Sequence, residues 1–276
     1  MHKVKRLGKL AAFLVLLVFG IAYFFPFFWM VSTALKPDTQ LFIYPPRMLP
    51  DPPKWSNFYD AVTAIPFGRY TMNSLTIAAL ATVGALISCP LAGYGLARLR
   101  WKGRDLLMIV TLAVLMIPNQ VTMVPLFIVF SKVKLVGTFA PLIIPMFFGV
   151  PYYIFLMRQF FKQLPKSLED AARIDGCGEF RVYWSIMLPL CQPCLLTIGM
   201  FQFVASWNDF LGPLIYLNDE FRYTLQIGLQ QYKQSTNIQW TQLMAAATLV
   251  ALPVIVLYFT VQRAFVEGIT FGGVKG

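Results

Sequence analysis

The chain has 276 residues, is 58% hydrophobic and 13% charged, and carries a net charge of +11. Soluble domains average about 45–50% apolar and about 25% charged residues, so the composition excludes an ordinary soluble domain and argues for a membrane protein. The positive balance does not argue for nucleic acid, because the basic residues are scattered at the ends of apolar runs and not gathered in one patch.

Residues 1–9, MHKVKRLGK, form a basic head, and Leu10 to Leu35 carry no charge. That run predicts a first membrane span, with Pro26 as a kink. Ser32-Thr33-Ala34 is similar to a signal-peptide cleavage site, but the apolar run is about twice the usual 7–15 residues of a signal peptide, which favours an uncleaved span. Lys36 to Arg69 is a Pro-rich loop with Phe42, Tyr44, Trp55, Phe58 and Tyr59 interleaved. Such a sequence suits a loop on the membrane surface held by aromatic anchors, and equally a docking surface for a partner.

Tyr70 to Ala97 is the second uncharged run, and its pairs Ala81/Ala85 and Gly84/Ser88 are small residues four apart that let helices approach closely in lipid. Arg98, Arg100, Lys102 and Arg104 make a basic turn. Leu106 to Ser131 is the third run, interrupted by Pro118-Asn119-Gln120 and Pro125, and Leu135 to Met157 is the fourth.

A polar stretch then separates two apolar runs. Ser167 and Asp170 have the spacing of a capping box, Glu169 and Arg173 that of a helical ion pair, and Gly176 is a helix stop. A second short helix follows, with Phe180, Tyr183, Trp184, Met187 and Leu188 expected on one face. Pro189 and Pro193 precede the fifth run, Leu190 to Phe210. A polar connection leads to the sixth run, Leu243 to Gln262, and a tail, 263–276, closes the chain.

Orientation follows from Lys and Arg. Fifteen of the 23 lie in 1–9, 98–104, 158–181 and 263–276, on one side, and eight lie in 36–69, 132–134 and 222–233, on the other. The richer side is cytoplasmic by the positive-inside rule, which puts both termini and the Glu169 stretch inside.

The chemistry available is limited. No G-x-x-x-x-G-K-[ST] cradles ATP phosphates, and the single histidine, His2, forms no nucleophilic triad. Cys191 and Cys194 form a C-x-x-C pair, but a zinc site needs further ligands, so they read as small apolar residues near a helix end and no metal is expected. Asn208 and Asp209 close the fifth run. A carboxylate in lipid is costly and usually faces a cavity or partner, so the pair is a candidate for the solute path, with solvation at the interface as the alternative. Asn73, Asn119 and Gln120 are weaker candidates, the alternative for each being a polar side chain bonded to a broken helix backbone beside a proline.

Asp170-Ala171-Ala172, Asp175-Gly176 and Ile186-Met187-Leu188-Pro189 resemble the EAA loop of permease subunits of bacterial ABC importers: Glu-Ala-Ala, three residues, Gly, nine residues, Ile, one residue, Leu-Pro. Here Asp170 stands in place of the leading Glu, and Glu169 offers the longer carboxylate one position early. Arg69 to Ser74 resembles the start of the permease core. Ser206-Trp207-Asn208-Asp209-Phe210, with Gln262 to Thr270 and Gly272 to Gly276, resembles the carbohydrate-type permeases, and the length is similar to that of the smaller permease of the maltose transporter. The resemblance implies an all-α protein of six transmembrane helices with the type I ABC importer permease fold. It implies a second permease subunit, two ATPase subunits that bind ATP and Mg, and an extracytoplasmic solute-binding protein in a bacterial cytoplasmic membrane. This chain would bind no cofactor, catalyse no reaction and move a sugar or similar solute by alternating access. It implies ATPase docking through Glu169, Asp170, Ala171, Ala172, Asp175, Gly176, Leu188 and Pro189, and through the tail with Gly272 and Gly273.

The expected organisation is 1–68 for the head, first span and external loop, 69–262 for the core with the EAA loop at 165–193, and 263–276 for the cytoplasmic tail. Two rivals are an ion-coupled secondary transporter and a membrane enzyme. The first calls for mid-span ionisable residues and repeated broken helices in two related halves. The second needs a cluster of His, Asp or Glu at one membrane face. Neither pattern is evident in the sequence.

Overall fold

The computed structural model describes residues 2–233 and 238–273, with side chains described for 8–10, 12–233 and 238–262. Every regular element among these residues is helical. They divide into two compact units, 1–68 with 228–253 and 69–227 with 254–276.

In the first unit, α1 (His2–Ala34) runs through the first apolar stretch, with Pro26 inside it. The last carbonyls of a helix lack intrahelical partners. Here Asn57, on α2 (Ser56–Ala64), supplies them, donating through Nδ2 to Ala34 O and Lys36 O at 2.9 Å each. Ser32 Oγ donates to Met48 O. The stretch similar to a cleavage site is thus built into the packing of this unit. The Pro-rich loop folds back on itself: Gln40 and Asp51 bond reciprocally, and Lys54 N donates to Leu35 O at 2.8 Å. Phe42, Tyr44, Trp55 and Tyr59 are left exposed. Residues 228–253, grouped with the core segment 69–262 by sequence, pack in this unit. Tyr232 OH donates to Ala61 O, and Thr241 Oγ1 to Asp38 Oδ1 at 2.8 Å.

The second unit is organised on α3 (Phe67–Ala97). There follow α4 (Arg104–Val114), α5 (Asn119–Lys132), α6 (Ala140–Ile143) with a 3-10 turn at Ile144–Phe148, and α7 (Pro151–Gln163). Next come α8 (Ser167–Ile174), α9 (Glu179–Val182), a π turn at Tyr183–Met187, α10 (Leu188–Leu190) and α11 (Gln192–Trp207). α12 (Leu211–Tyr216) is the last element wholly in this unit, whereas α13 (Leu225–Gln231) and α14 (Trp240–Gly273) divide between the two units, after residues 227 and 253.

Among the described residues, four segments are long and apolar enough to cross a membrane unbroken: Gly8–Ala34, Phe67–Ala97, Ala140–Gln163 and Trp240–Gln262. The expected third span is a bent pair, and the expected fifth span is α11, which passes the same test only together with Glu179–Leu190 before it. α4 and α5 meet at 102°, and Glu179–Leu190 meets α11 at 78°. Both bends have prolines at the break, Pro118 before α5 and Pro193 in the first turn of α11, and a proline has no N–H with which to continue the preceding helix's hydrogen bonds. The sixth run also differs from expectation: its helix continues past Gln262 to Gly273, and 274–276 lie outside the described residues.

Close packing in this unit follows from the small residues of α3. Ala81, Ala85 and Cys89 are fully buried. A Cβ on Gly93 would stand 2.6 Å from Met157 Cβ and 3.1 Å from Arg158 N, so the backbones of α3 and α7 touch there. Irregular backbone at membrane depth is tolerated only where protein groups satisfy it. The break before α7 meets this condition: Ser88 Oγ donates to Met146 O at 2.8 Å, and Val150 N donates to Cys89 Sγ at 3.2 Å.

Candidate functional site

The polar stretch between α7 and α11 folds as a hairpin of two short helices. α8 begins at Ser167 with no side-chain cap. The expected capping box does not form, because Lys166 O already accepts from Glu169 N and Asp170 N at 3.0 and 3.1 Å and starts the helix one residue early. The helix ends as glycine dictates. Gly176 has φ +78°, its N–H donates to Arg173 O, and Cys177 N donates to Ala172 O at 2.9 Å. These two bonds are the Schellman pattern, which a left-handed residue at this position permits.

The second helix corrects a further expectation. Phe180, Tyr183, Trp184, Met187 and Leu188 do not share one face. Val182, Tyr183 and Met187 are buried, while Phe180 and Trp184 are exposed and stack on each other with ring centroids 6.4 Å apart. A π turn at Tyr183–Met187 interrupts the helix between Phe180 and Leu188. It adds a residue to the turn, so positions after it no longer follow the 3.6-residue spacing.

Ion pairs fix the hairpin from inside. Glu169 is 4% exposed. Its Oε1 lies 3.1 Å from Arg98 Nε and its Oε2 3.7 Å from Arg173 Nη2. Arg98 stands one residue past α3 and also donates to Phe161 O and Leu164 O, where α7 ends. Arg173 Nε donates to Glu179 Oε1 at 2.8 Å, and Tyr94 OH donates to Glu179 Oε2 at 3.2 Å. Burial pushes the Glu169 carboxyl above its ordinary value, against the pull of Arg98 and then Arg173. One chain of charges therefore joins α3, α7, α8 and α9.

This arrangement sorts the sequence candidates. Glu169 and Ala172 face the interior of the unit. Asp170, Ala171, Asp175, Gly176 and Pro189 are exposed, and Leu188 is half-buried. Two exposed apolar groups that the motif does not include, Ile174 and the Phe180–Trp184 stack, stand on the outer surface. Gly272 and Gly273 belong to the backbone of α14. Arg98 was legible in sequence only as one member of a basic turn.

The remaining polar candidates split. Asn73 donates through Nδ2 to Phe221 O and Tyr223 O at 3.0 and 2.9 Å, and Ser74 Oγ accepts from Leu225 N at 2.9 Å. Asn73 thus pins the connection before α13. Asp209 Oδ1 accepts from Gly212 N at 3.1 Å, at the start of α12. Asn208 is exposed, and its Oδ1 accepts from Gln226 Nε2 at 3.4 Å, a donor that also reaches Trp207 O. Gln226 was not singled out from sequence, since nothing marks it within a polar connection. Asn119 and Gln120 lie apart from these groups in the sequence, exposed at the start of α5 beyond its bend.

Residues 89–271 match the family described as binding-protein-dependent transport system inner membrane component. The chain belongs to this family. Several relatives are similar over nearly all of the chain. The probable ABC transporter permease protein YurM of Bacillus subtilis (strain 168) is 34% identical over 273 residues, 98% of this chain and 90% of its own. The arabinooligosaccharides transport system permease protein AraQ of the same organism is 33% identical, over 97% and 96%. The diacetylchitobiose uptake system permease protein DasC of Streptomyces coelicolor is 30% identical, over 94% of each. In three dimensions the chain is similar to a chain in the crystal structure of a bacterial ABC transporter involved in the import of the acidic polysaccharide alginate. The TM-score is 0.82 at 22% identity, covering 94% of this chain and 97% of that one. This shows the type I ABC importer permease fold. The protein is a membrane permease subunit of an ABC importer, and the ion-coupled transporter and the membrane enzyme give way to that membership. An ATPase, a substrate-binding protein and a second permease accompany such a subunit.

Proposed function

We propose that the solute is a sugar or oligosaccharide, handed over by an extracytoplasmic binding protein and passed inward by alternating access. Similarity to arabinooligosaccharide and diacetylchitobiose permeases supports the substrate class. The partners are a second permease subunit and two ATPase subunits, which carry ATP and Mg. Both termini and the α8–α9 hairpin lie on the cytoplasmic side, as the distribution of Lys and Arg indicates.

The observation that carries the mechanism is the hairpin, locked to α3 and α7 by buried charge and apolar on its outer surface. An ATPase subunit docks on Ile174, Phe180 and Trp184, with Asp170, Ala171, Asp175 and Gly176 beside them and Leu188 and Pro189 at the margin. Glu169 and Ala172 support this surface from within. Two short helices are small against the roughly 800 Å² per partner of a stable interface, so the end of α14, with Gly272 and Gly273, supplies a second contact. On the opposite side, Asn208 lines the solute path. Asp209 shapes it, while Asn73, Asn119 and Gln120 have lesser parts.

The test uses the assembled importer in lipid. Phe180→Ala with Trp184→Ala is expected to cut ATPase activity stimulated by loaded binding protein at least tenfold, with the permease still inserted. Asn208→Ala is expected to alter solute uptake and to leave that stimulation intact. Full stimulation in the double variant would remove the docking surface from the proposal, and unchanged uptake in Asn208→Ala would remove the path.

A further inference from the structure

Lys36 lies two residues beyond the end of α1 and is 2% exposed. An ammonium out of water needs a counter-charge or hydrogen bonds in place of its hydration. Among the described residues it has neither from a carboxylate: the nearby Asp38 accepts from Thr241 Oγ1, and burial alone acts on the titration of Lys36, lowering it. Its recorded partner is the face of Trp29, with Nζ 4.1 Å from the ring centroid. One turn earlier, Thr33 Oγ1 is buried with no hydrogen-bond partner among the described residues.

Both side chains line one cleft of about 200 Å³, walled by Trp29, Phe42, Trp240 and Met244. All of these belong to the first compact unit. Trp29, Thr33 and Lys36 follow each other at helical spacing at the end of one span, and Trp240 and Met244 open another. The cleft therefore sits where two apolar helices meet the headgroup layer, the level at which tryptophan and lysine anchor spans. From Trp29 the exposed apolar flank of α1 continues through Phe25, Ile21 and Val18.

We propose that this cleft binds the phosphate of an anionic phospholipid, phosphatidylglycerol, with Lys36 as its charge partner and Thr33 as a hydrogen-bond donor. An acyl chain lies along Phe25, Ile21 and Val18. A lysine ammonium serves phosphate as a point charge. The continuous apolar flank favours a lipid over a free anion, which has no use for it. This inference requires only that the chain spans a membrane.

The test is native mass spectrometry on the full-length chain, purified in detergent, stripped of lipid and titrated with phosphatidylglycerol or phosphatidylcholine. The expected result is one retained phosphatidylglycerol, held at least tenfold more tightly than phosphatidylcholine. Lys36→Met should abolish that preference, Lys36→Arg should keep it, and Lys54→Met should leave it unchanged. Thr33→Val should weaken retention several-fold. This last change removes an unpartnered hydroxyl and conserves shape, so it leaves folding intact and keeps the idea testable should Lys36→Met fail to fold. Equal retention by wild type and Lys36→Met, or by wild type and Thr33→Val, would overturn the site. Displacement of the lipid by millimolar sodium phosphate would make it a free-anion site, and displacement by galacturonate a sugar-acid site. Either result overturns the lipid assignment.

Discussion

Arg98 and Glu169 are both buried and stand 3.1 Å apart, and each depends on the other. Removing one partner of a buried pair leaves an uncompensated charge and costs about 3–5 kcal/mol. Arg98→Ala also frees the carbonyls of Phe161 and Leu164. Its thermal unfolding in detergent is expected to show a loss of at least that size. A loss below about 1 kcal/mol would mean that the pair contributes little. Glu169 further predicts a pH dependence. Burial raises its carboxyl pKa above the ordinary 4.5 despite the two arginines, so the folded chain holds the proton more tightly than the unfolded chain. The linked stability is complete below 4.5 and is lost as pH rises through the folded value. Glu169→Gln cannot titrate. Wild type should therefore lose stability relative to Glu169→Gln from pH 4.5 upward and level off above the folded value. A flat difference across that range would show that the arginines cancel the burial effect.

The packing of α3 on α7 turns on Gly93. Any Cβ there would meet Met157 Cβ at 2.6 Å and the backbone nitrogen of Arg158 at 3.1 Å, and a backbone atom cannot swing aside like a side-chain tip. Overpacking of this kind costs about 1–3 kcal/mol. Gly93→Ala should lower the unfolding midpoint of the purified chain, whereas Gly95→Ala, where nothing lies within 4 Å, should not. Equal midpoints would mean that the helices separate at little cost. The same element shows how far sequence reaches. Small residues four apart signalled close approach, and α3 has it. The partner, a 3-10 turn whose open groups are filled by Ser88 and Cys89, is set by chain crossings that no local pattern encodes.

The whole molecule is an importer permease, and its orientation is the property that lysine and arginine alone predict. In a background without the four native cysteines, Lys54→Cys should react with an impermeant thiol reagent in intact cells, and Arg100→Cys should react only after lysis. The reverse pattern would invert the topology and move the α8–α9 hairpin away from any cytoplasmic ATPase.

Charge-free runs, their lengths and the spacing from Asp170 to Pro189 determined the class, the helices and the family resemblance, because hydrophobic extent and glycine conformation are local properties of the chain. Gly176 stops α8 for a reason carried by its own residue type. The tertiary structure alone decided that Glu169 turns inward to Arg98, 71 positions away in sequence, and so supports the hairpin's outer surface without belonging to it. It also decided that Phe180 and Trp184 face outward while Tyr183 and Met187 are buried, because only the packing of the helix on the rest of the unit selects which side is covered. Asn73 and Asn208 look alike in sequence. One fastens the 221–225 connection and the other stands exposed beside Gln226, because a polar side chain takes its role from the partners that the fold brings within hydrogen-bond reach.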